Sequence, residues 1–312
     1  MVVMKLHGLP IAIVVFVTLS GVHAQQPPPR TVVIHTIGQQ VPISDPAYAF
    51  AGVYFLSNGG ANALAVTTPD GVVLIDAKLP GWGPAVLDTL QQVTDDPIVW
   101  IINTNADEDH AGANGEYTGK VEVVMHENAS GRFLKRPRTA AASSAIKTFG
   151  NRTSLAIGGT ELQVYHFGKG HTDGDAIVVL PHARLAFVGD LFAEKSVPVI
   201  DRASGGSALA LPQTLARAVA EITGVDRVIT GHGPAPQGRG RNWPTWDDFR
   251  QYAEFTREFV AAAQGAWKAG RTVEQAVSGL RLSDKYKDYR MDGAKATIET
   301  IYAELKQGAA QR

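Results

Sequence analysis

Four short segments hold the side chains that could do chemistry, and each follows a stretch with the apolar, β-branched character of a strand. The first, Asn105-Ala106-Asp107-Glu108-Asp109-His110, crowds four potential ligands (Asn105, Asp107, Asp109 and His110) into one turn. Carboxylates packed this tightly repel one another unless a cation lies among them. The segment alone therefore reads either as part of a metal site or as a solvated acidic turn capping the next helix. The other three are Gly170-His171-Thr172-Asp173-Gly174-Asp175, Val188-Gly189-Asp190-Leu191-Phe192 and Ile229-Thr230-Gly231-His232-Gly233-Pro234. In each, a His or Asp leaves a strand into a Gly-bordered turn, where the backbone bends tightly and the side chain can point at a shared centre. Singly, His171 or His232 reads as a hydrogen-bonded loop histidine; together and in this order, the four segments point to a metal.

Composition narrows what that metal site can be. The chain has no cysteine, which excludes disulfides, thiolate nucleophiles and Cys-ligated zinc, so ligands must be His and carboxylate. Its 312 residues, 45% apolar, can bury one large core or two modest ones. With 29 basic and 30 acidic residues the net charge is -1, so no global field draws in nucleic acid or an anionic membrane. Residues 1–24 read as a signal peptide: Lys5 supplies the positive start, 9–19 are almost wholly apolar, and Val22-His23-Ala24 offers small residues for cleavage. An uncleaved anchor is the alternative. Residues 25–30 form a Gln- and Pro-rich linker. These features predict a periplasmic or secreted protein that has no membrane contact after cleavage.

The elements that must position the four segments are legible in outline. Residues 31–80 read as a meander of short strands, with turns such as Ser57-Asn58-Gly59-Gly60 and Pro69-Asp70-Gly71. Helix and strand then alternate, with helices at 84–93 and 127–135 and strands at 98–103 and 119–125. A second strand-rich stretch follows at 154–188, then a helix over 207–222 and a strand at 227–230. Two β-then-α halves predict two sheets packed face to face with helices outside, over 31–240. Residues 241–312 read as a helical extension packed on that domain. There Thr245 and Asp248 make a capping box, and Trp246, Phe249, Phe255, Phe259 and Val260 form an apolar stripe. The extension reads as packing or homodimer material, with a cover over the site entrance as the alternative.

The order of these segments resembles the metallo-β-lactamase superfamily, from Val72-Val73-Leu74-Ile75-Asp76 to Gly231-His232-Gly233. Within it, the exported quinoprotein-associated branch is similar at Pro97-Ile98, His126-Glu127-Asn128 and His171-Thr172-Asp173-Gly174-Asp175. The resemblance implies an α+β, four-layer αββα sandwich. The family motif His-x-His-x-Asp-His here reads Asn105-Ala106-Asp107-Glu108-Asp109-His110, with two histidines replaced. By the same resemblance, His171 completes the first metal site and Asp190 bridges. Asp109, His110, Asp190 and His232 make a complete second site, and Asp76 is a buried carboxylate that orients the motif loop. Asn105 and Asp107 would be weak ligands at the first site.

That pattern implies Zn2+, one ion or two, with Mn or Fe tolerated, and a one-metal or asymmetric centre. The function expected is hydrolysis of a small-molecule ester, lactone, lactam or thioester, by a water that the cation makes acidic, with Asp109 or Asp107 as catalytic carboxylates. The alternative is an inactive metal- or ligand-binding pseudoenzyme on the same fold. His126 and His166 are expected to support the site by hydrogen bonding, and His35 and His182 to lie at the surface. Residues 136–150, carrying Arg138 and Lys147, read as a loop overhanging the site, either recognising a substrate carboxylate or forming a mobile surface loop.

Overall fold

The computed structural model describes residues 32–36, 39–43, 52–56, 60–117, 119–136, 146–233 and 243–310. The expected leader at 1–24, the linker at 25–30, most of the 57–60 turn, Arg138 and the boundary drawn at 240 lie outside the described residues. After a hairpin of β1 (Val32–Thr36) and β2 (Gln39–Ile43), the first large sheet is built from β3 (Val53–Leu56), β4 (Ala63–Thr68), β5 (Gly71–Ile75), β6 (Ile98–Ile102), β7 (Glu122–His126) and β8 (Ile146–Phe149), in that order. Strands β3 to β5 pair antiparallel and β5 to β8 parallel. Parallel neighbours need crossovers. Helix α1 (Gly83–Leu90) lies between β5 and β6, and the short α2 (Glu108–Ala111) between β6 and β7. Helix α3 (Glu127–Phe133) follows β7 directly.

The second sheet contains β9 (Arg152–Ile157), β10 (Thr160–Tyr165), β11 (Ile177–Leu180), β12 (Leu185–Phe187) and β13 (Arg227–Ile229), with β9 and β13 at its edges. Helix α4 (Leu211–Glu221) carries the chain from β12 to the parallel β13. The extension follows as α5 (Trp246–Lys268), α6 (Val273–Ser278) and α7 (Ala294–Ala310). No helix among the described residues is long and apolar enough to cross a membrane.

Burial explains why these stretches form these layers. Strands β5 and β11 are buried at every residue, which is why they read as unbroken apolar runs. Edge strand β9 instead alternates more and less exposed residues. Between the sheets, Val66, Val73, Ile75 and Val124 meet Leu162, Val164, Val178 and Phe187. Helices α1 and α3 cover the outer face of the first sheet with Val86, Leu90 and Ala129. Helices α4 and α5 cover the second, through Leu211, Leu215, Phe249 and Tyr252. The expected αββα arrangement is present, and so is the helical extension, whose α5 starts at the Thr245–Asp248 capping box.

Two expectations need correction. The stretch 146–149 is not loop but edge strand β8, paired with β7; Lys147 reaches Glu122 and stands over the Trp100 ring, so it is committed to the sheet. Residues 207–210 are not part of the helix that follows. Glu304 of α7 accepts bonds from the Ser207 hydroxyl and from the Ala208 and Leu209 amides, and α4 begins at Leu211 with a proline in its first turn.

Candidate metal centre

The centre is organised from the end of β5. Asp76 and Lys78 both adopt left-handed backbone, with φ of 61° and 77°, a conformation that costs a non-glycine residue roughly 1–2 kcal/mol. This kink turns the buried Asp76 carboxylate back under the 104–110 loop. It accepts from the Thr104 amide at 2.7 Å and hydroxyl at 2.6 Å, and lies 2.7 Å from His110 Nδ1. The Ala77 amide donates to the His110 carbonyl at 2.6 Å. With Nδ1 engaged by a carboxylate, Nε2 of His110 is left as the free face of the ring.

That Nε2 points into a cluster of carboxylates and imidazoles. Asp190 Oδ2 lies 3.0 Å from it and 3.5 Å from His171 Nε2, while Asp190 Oδ1 lies 3.4 Å from His232 Nε2. Asp109 Oδ2 is 3.3 Å from His232 Nε2. Asp109, His110 and His232 place one ligand atom each within 4.8 Å of one another; so do Asp107, His171 and Asp190. The Asp190 carboxylate thus stands between two groups. Gly231 makes room for it, because a Cβ there would come 2.2 Å from Asp190 Oδ1.

The donor set fits a divalent cation. His110 Nε2 and Asp190 Oδ1 are both buried without a hydrogen-bond partner, an arrangement that costs free energy unless a ligand completes it. The charge balance agrees. Burial opposes charging of His110, but the Asp190 and Asp76 carboxylates outweigh it and hold the imidazole well above its ordinary range. Burial likewise disfavours the Asp190 anion, yet His110, His171 and His232 hold its carboxyl far below the usual range. A field that binds protons this firmly suits a metal ion, and two imidazoles with two carboxylates suit zinc, with Mn or Fe tolerated.

The other half of the centre is built differently. Asn105 Oδ1 accepts from the Asp107 amide at 2.8 Å, which orients the side-chain amide so that Nδ2 donates to Asp190 Oδ2 at 3.2 Å. Asn105 therefore offers the centre an N–H, where a ligand would offer oxygen. Asp107 Oδ2 lies 3.1 Å from His171 Nε2, and His171 Nδ1 donates to the Val199 carbonyl at 3.0 Å. Although burial works against it, the Asp107 contact and the nearby Asp190 and Asp175 carboxylates raise His171 to about 10. Asp107 and His171, with Asp190, thus form the second group able to hold a cation.

His126 and His166 lie behind the His171 loop, stacked with ring centroids 3.8 Å apart. His126 Nδ1 accepts from the Asn128 amide and caps α3; His166 Nδ1 donates to the Asp175 carbonyl at 2.8 Å. Burial, with His166 alongside, pushes His126 down to about 4. A neutral, depressed histidine leaves stability intact above its unfolded value of about 6.5 and withdraws it as pH falls from there to about 4. His126→Asn retains a capping acceptor but cannot titrate. The stability lost between pH 7 and pH 5, read by urea unfolding, should therefore shrink in this variant by about 1 kcal/mol, allowing for solvent screening at the ring edge.

A cavity of about 980 Å3 opens on His171, Asp190 and His232. Its far wall belongs to the C-terminal extension, through Asp248 and Gln251 of α5 and Asp288, Tyr289 and Arg290. Arg290 is stitched to the stretch after Asp190: its amide donates to the Lys195 carbonyl at 2.9 Å, and its carbonyl accepts from Val197 at 3.2 Å. Glu194, at positive φ of 51°, also lines this cavity. Sequence reading named His171, Asp190 and His232 but missed Glu194, Gln251, Asp288, Tyr289 and Arg290 of the cavity wall, and it missed Lys78 and Asn62, because no motif or spacing marks them. The adjacency of Lys78 to Asp76 was the one available signal.

Residues 56–263 match the model of the metallo-beta-lactamase superfamily. Metallo-beta-lactamase IND-1 of Chryseobacterium indologenes is 25% identical over 189 residues, 59% of this chain and 77% of that protein. The fold is similar to that of the sec-alkylsulfatase Pisa1 from a Pseudomonas species, with a TM-score of 0.66 at 16% identity, covering 81% of this chain but only 49% of the sulfatase. The chain thus spans about half the length of that neighbour. A metallo-beta-lactamase from Pontibacter korlensis aligns with a TM-score of 0.51 at 21% identity, over 66% of this chain and 93% of its own. By its matched segment, its two-sheet sandwich and its candidate metal ligands, this chain belongs to the metallo-beta-lactamase superfamily.

Proposed function

We propose that the protein is a hydrolase acting on a carbonyl ester, lactone, lactam or thioester at a single divalent cation held by Asp109, His110, Asp190 and His232. The observation that carries this reading is the pair of buried, unpartnered atoms: His110 Nε2, grouped with Asp109 and His232, and Asp190 Oδ1, which lies 3.4 Å from His232 Nε2. Bound there, a divalent cation supplies Lewis acidity, polarising a carbonyl oxygen and making water easier to ionise. Asp76 holds the His110 ring in one tautomer. Asp107, 3.1 Å from His171 Nε2, is the candidate carboxylate for proton transfer, although, against the opposing effect of burial, His171 holds its carboxyl below the usual range. His232, the most exposed of the four ligands at 57%, faces the entrance. Phe192, Val197, Trp243 and Tyr289 give the cavity an apolar body suited to an acyl or aromatic group.

The purified protein should contain one equivalent of zinc, manganese or iron by elemental analysis. It should hydrolyse a chromogenic ester, lactone or lactam in a manner abolished by chelator and restored by metal. Stoichiometric metal with no turnover of any carbonyl substrate or alkyl sulfate would instead support a binding protein on this fold. The leading 24 residues support export to the periplasm or medium, tested by the N-terminal sequence of the mature protein.

A further inference from the structure

Lys78 takes no part in the chemistry above, yet its side chain is fully buried and its ammonium donates to the carbonyls of Leu56 and Ala61, both at 2.6 Å. Those carbonyls lie at the two ends of the turn joining β3 to β4. From that turn, Gly60 lies against Asp109 so closely that a Cβ there would come 2.5 Å from the Asp109 Cβ. Asn62 bonds the His232 turn three times: its amide donates to the Gly231 carbonyl at 2.7 Å, and its Nδ2 to the carbonyls of Thr230 and Gly233 at 3.0 and 3.1 Å. The hairpin base therefore touches the segments of Asp109 and His232, while Asp76 holds His110, the remaining member of the group.

Burying an ammonium is costly, and so is left-handed backbone at a lysine. A methionine would fill similar volume with neither the charge nor the need for acceptors. The charge has a local counterpart, because the Asp76 and Asp109 carboxylates both favour the ammonium against the burial that pushes it down to about 7. A buried cation that joins both ends of the turn through two carbonyls is explained by a demand on geometry that packing alone does not make.

We propose that Lys78 is a positioning residue of the metal centre, clasping the two ends of the β3–β4 turn and thereby fixing Asp109 and His232 at ligand distance. This rests on the proposed cation site, so the test includes a measurement that needs no metal. The chain has no cysteine, so Lys78→Cys introduces a single thiol, and aminoethylating it in the unfolded chain before refolding restores an ammonium of nearly the same reach.

In Lys78→Met, zinc affinity measured by chelator competition should fall roughly 10–100-fold, the range seen when a supporting partner of a metal ligand is lost. The visible spectrum of the cobalt-substituted protein should shift with it. In the metal-free protein, hydrogen exchange at the Asn62 amide should accelerate. The aminoethylated Lys78→Cys protein should recover all three properties and the unmodified one should not. Unchanged affinity and spectrum in a folded Lys78→Met overturn the proposal, as does an aminoethylated protein no better than its unmodified form. Should Lys78→Met fail to fold, Asn62→Ala carries the test: it removes the two side-chain bonds to the His232 turn without stranding an ammonium, and unchanged affinity and spectrum there overturn the proposal. If the native protein binds no metal, the cation site itself is wrong, and the clasp is decided by Asn62 exchange alone, with no acceleration overturning it.

Discussion

His110→Ala should abolish stoichiometric metal binding, weakening it by well over the roughly 100-fold that loss of a mere supporting partner costs, and should remove turnover with it. The reason is the ring's double engagement. One nitrogen lies 2.7 Å from the fully buried Asp76 and the other 3.0 Å from the largely buried Asp190. Removing the ring deletes a ligand and also leaves two buried carboxylates without their imidazole. The metal-free variant should therefore also lose about 3–5 kcal/mol of stability in urea, the usual consequence of breaking a buried charged pair from one side. Elemental analysis and urea unfolding of the same preparation check both. A variant that retains one equivalent of zinc would remove His110 from the centre and the proposed chemistry with it.

Asp76→Ala should damage the protein almost as much without touching the cation. The Thr104 amide and hydroxyl and His110 Nδ1 would all lose their acceptor in a site with no solvent. Leaving buried donors unpaired costs about 1–3 kcal/mol each, so unfolding should shift by several kcal/mol. Zinc affinity should fall roughly 10–100-fold, as His110 loses the partner that fixes its tautomer and direction. Full retention of affinity would show that the 104–110 loop holds its shape alone. The ratio of the two effects separates loss of orientation from general loosening: His110→Ala should be the worse metal binder, and Asp76→Ala comparable in stability.

Much of this architecture was legible from the chain alone. The unbroken apolar runs of β5 and β11, and turns rich in Gly and Asp, mark strands through local constraints that any fold must respect. The Thr245–Asp248 capping box marks a helix start because both bonds form within four residues. The four chemical segments stood out only together, since His or Asp beside glycine at a strand end is singly an ordinary turn and four in this order are not. Strand β8 was missed because an edge strand with exposed Lys147 and Thr148 lacks apolar alternation and owes its state to pairing with β7.

Asn105 shows where reading by type ends. Its identity suggested an oxygen ligand, but the Asp107 amide takes that oxygen and turns Nδ2 toward Asp190, an outcome set by backbone direction. Lys78 shows the same limit more sharply. A lysine after a strand ordinarily reads as surface, and only the folded chain brings Leu56 and Ala61 within 2.6 Å of its ammonium. The cavity wall is a third case, where Tyr289 and Arg290 meet the stretch around Asp190 across about a hundred intervening residues.

By itself, then, the amino-acid order determined the buried strands, the capped start of α5 and the candidate ligand types, because period, capping and side-chain chemistry act over a few residues. Tertiary structure alone decided which ligand atoms face one another, which buried charges are compensated and which part of the chain walls the cavity. Those outcomes depend on distances of a few ångströms between residues far apart in sequence, and only the packing of the two sheets and their helices sets such distances.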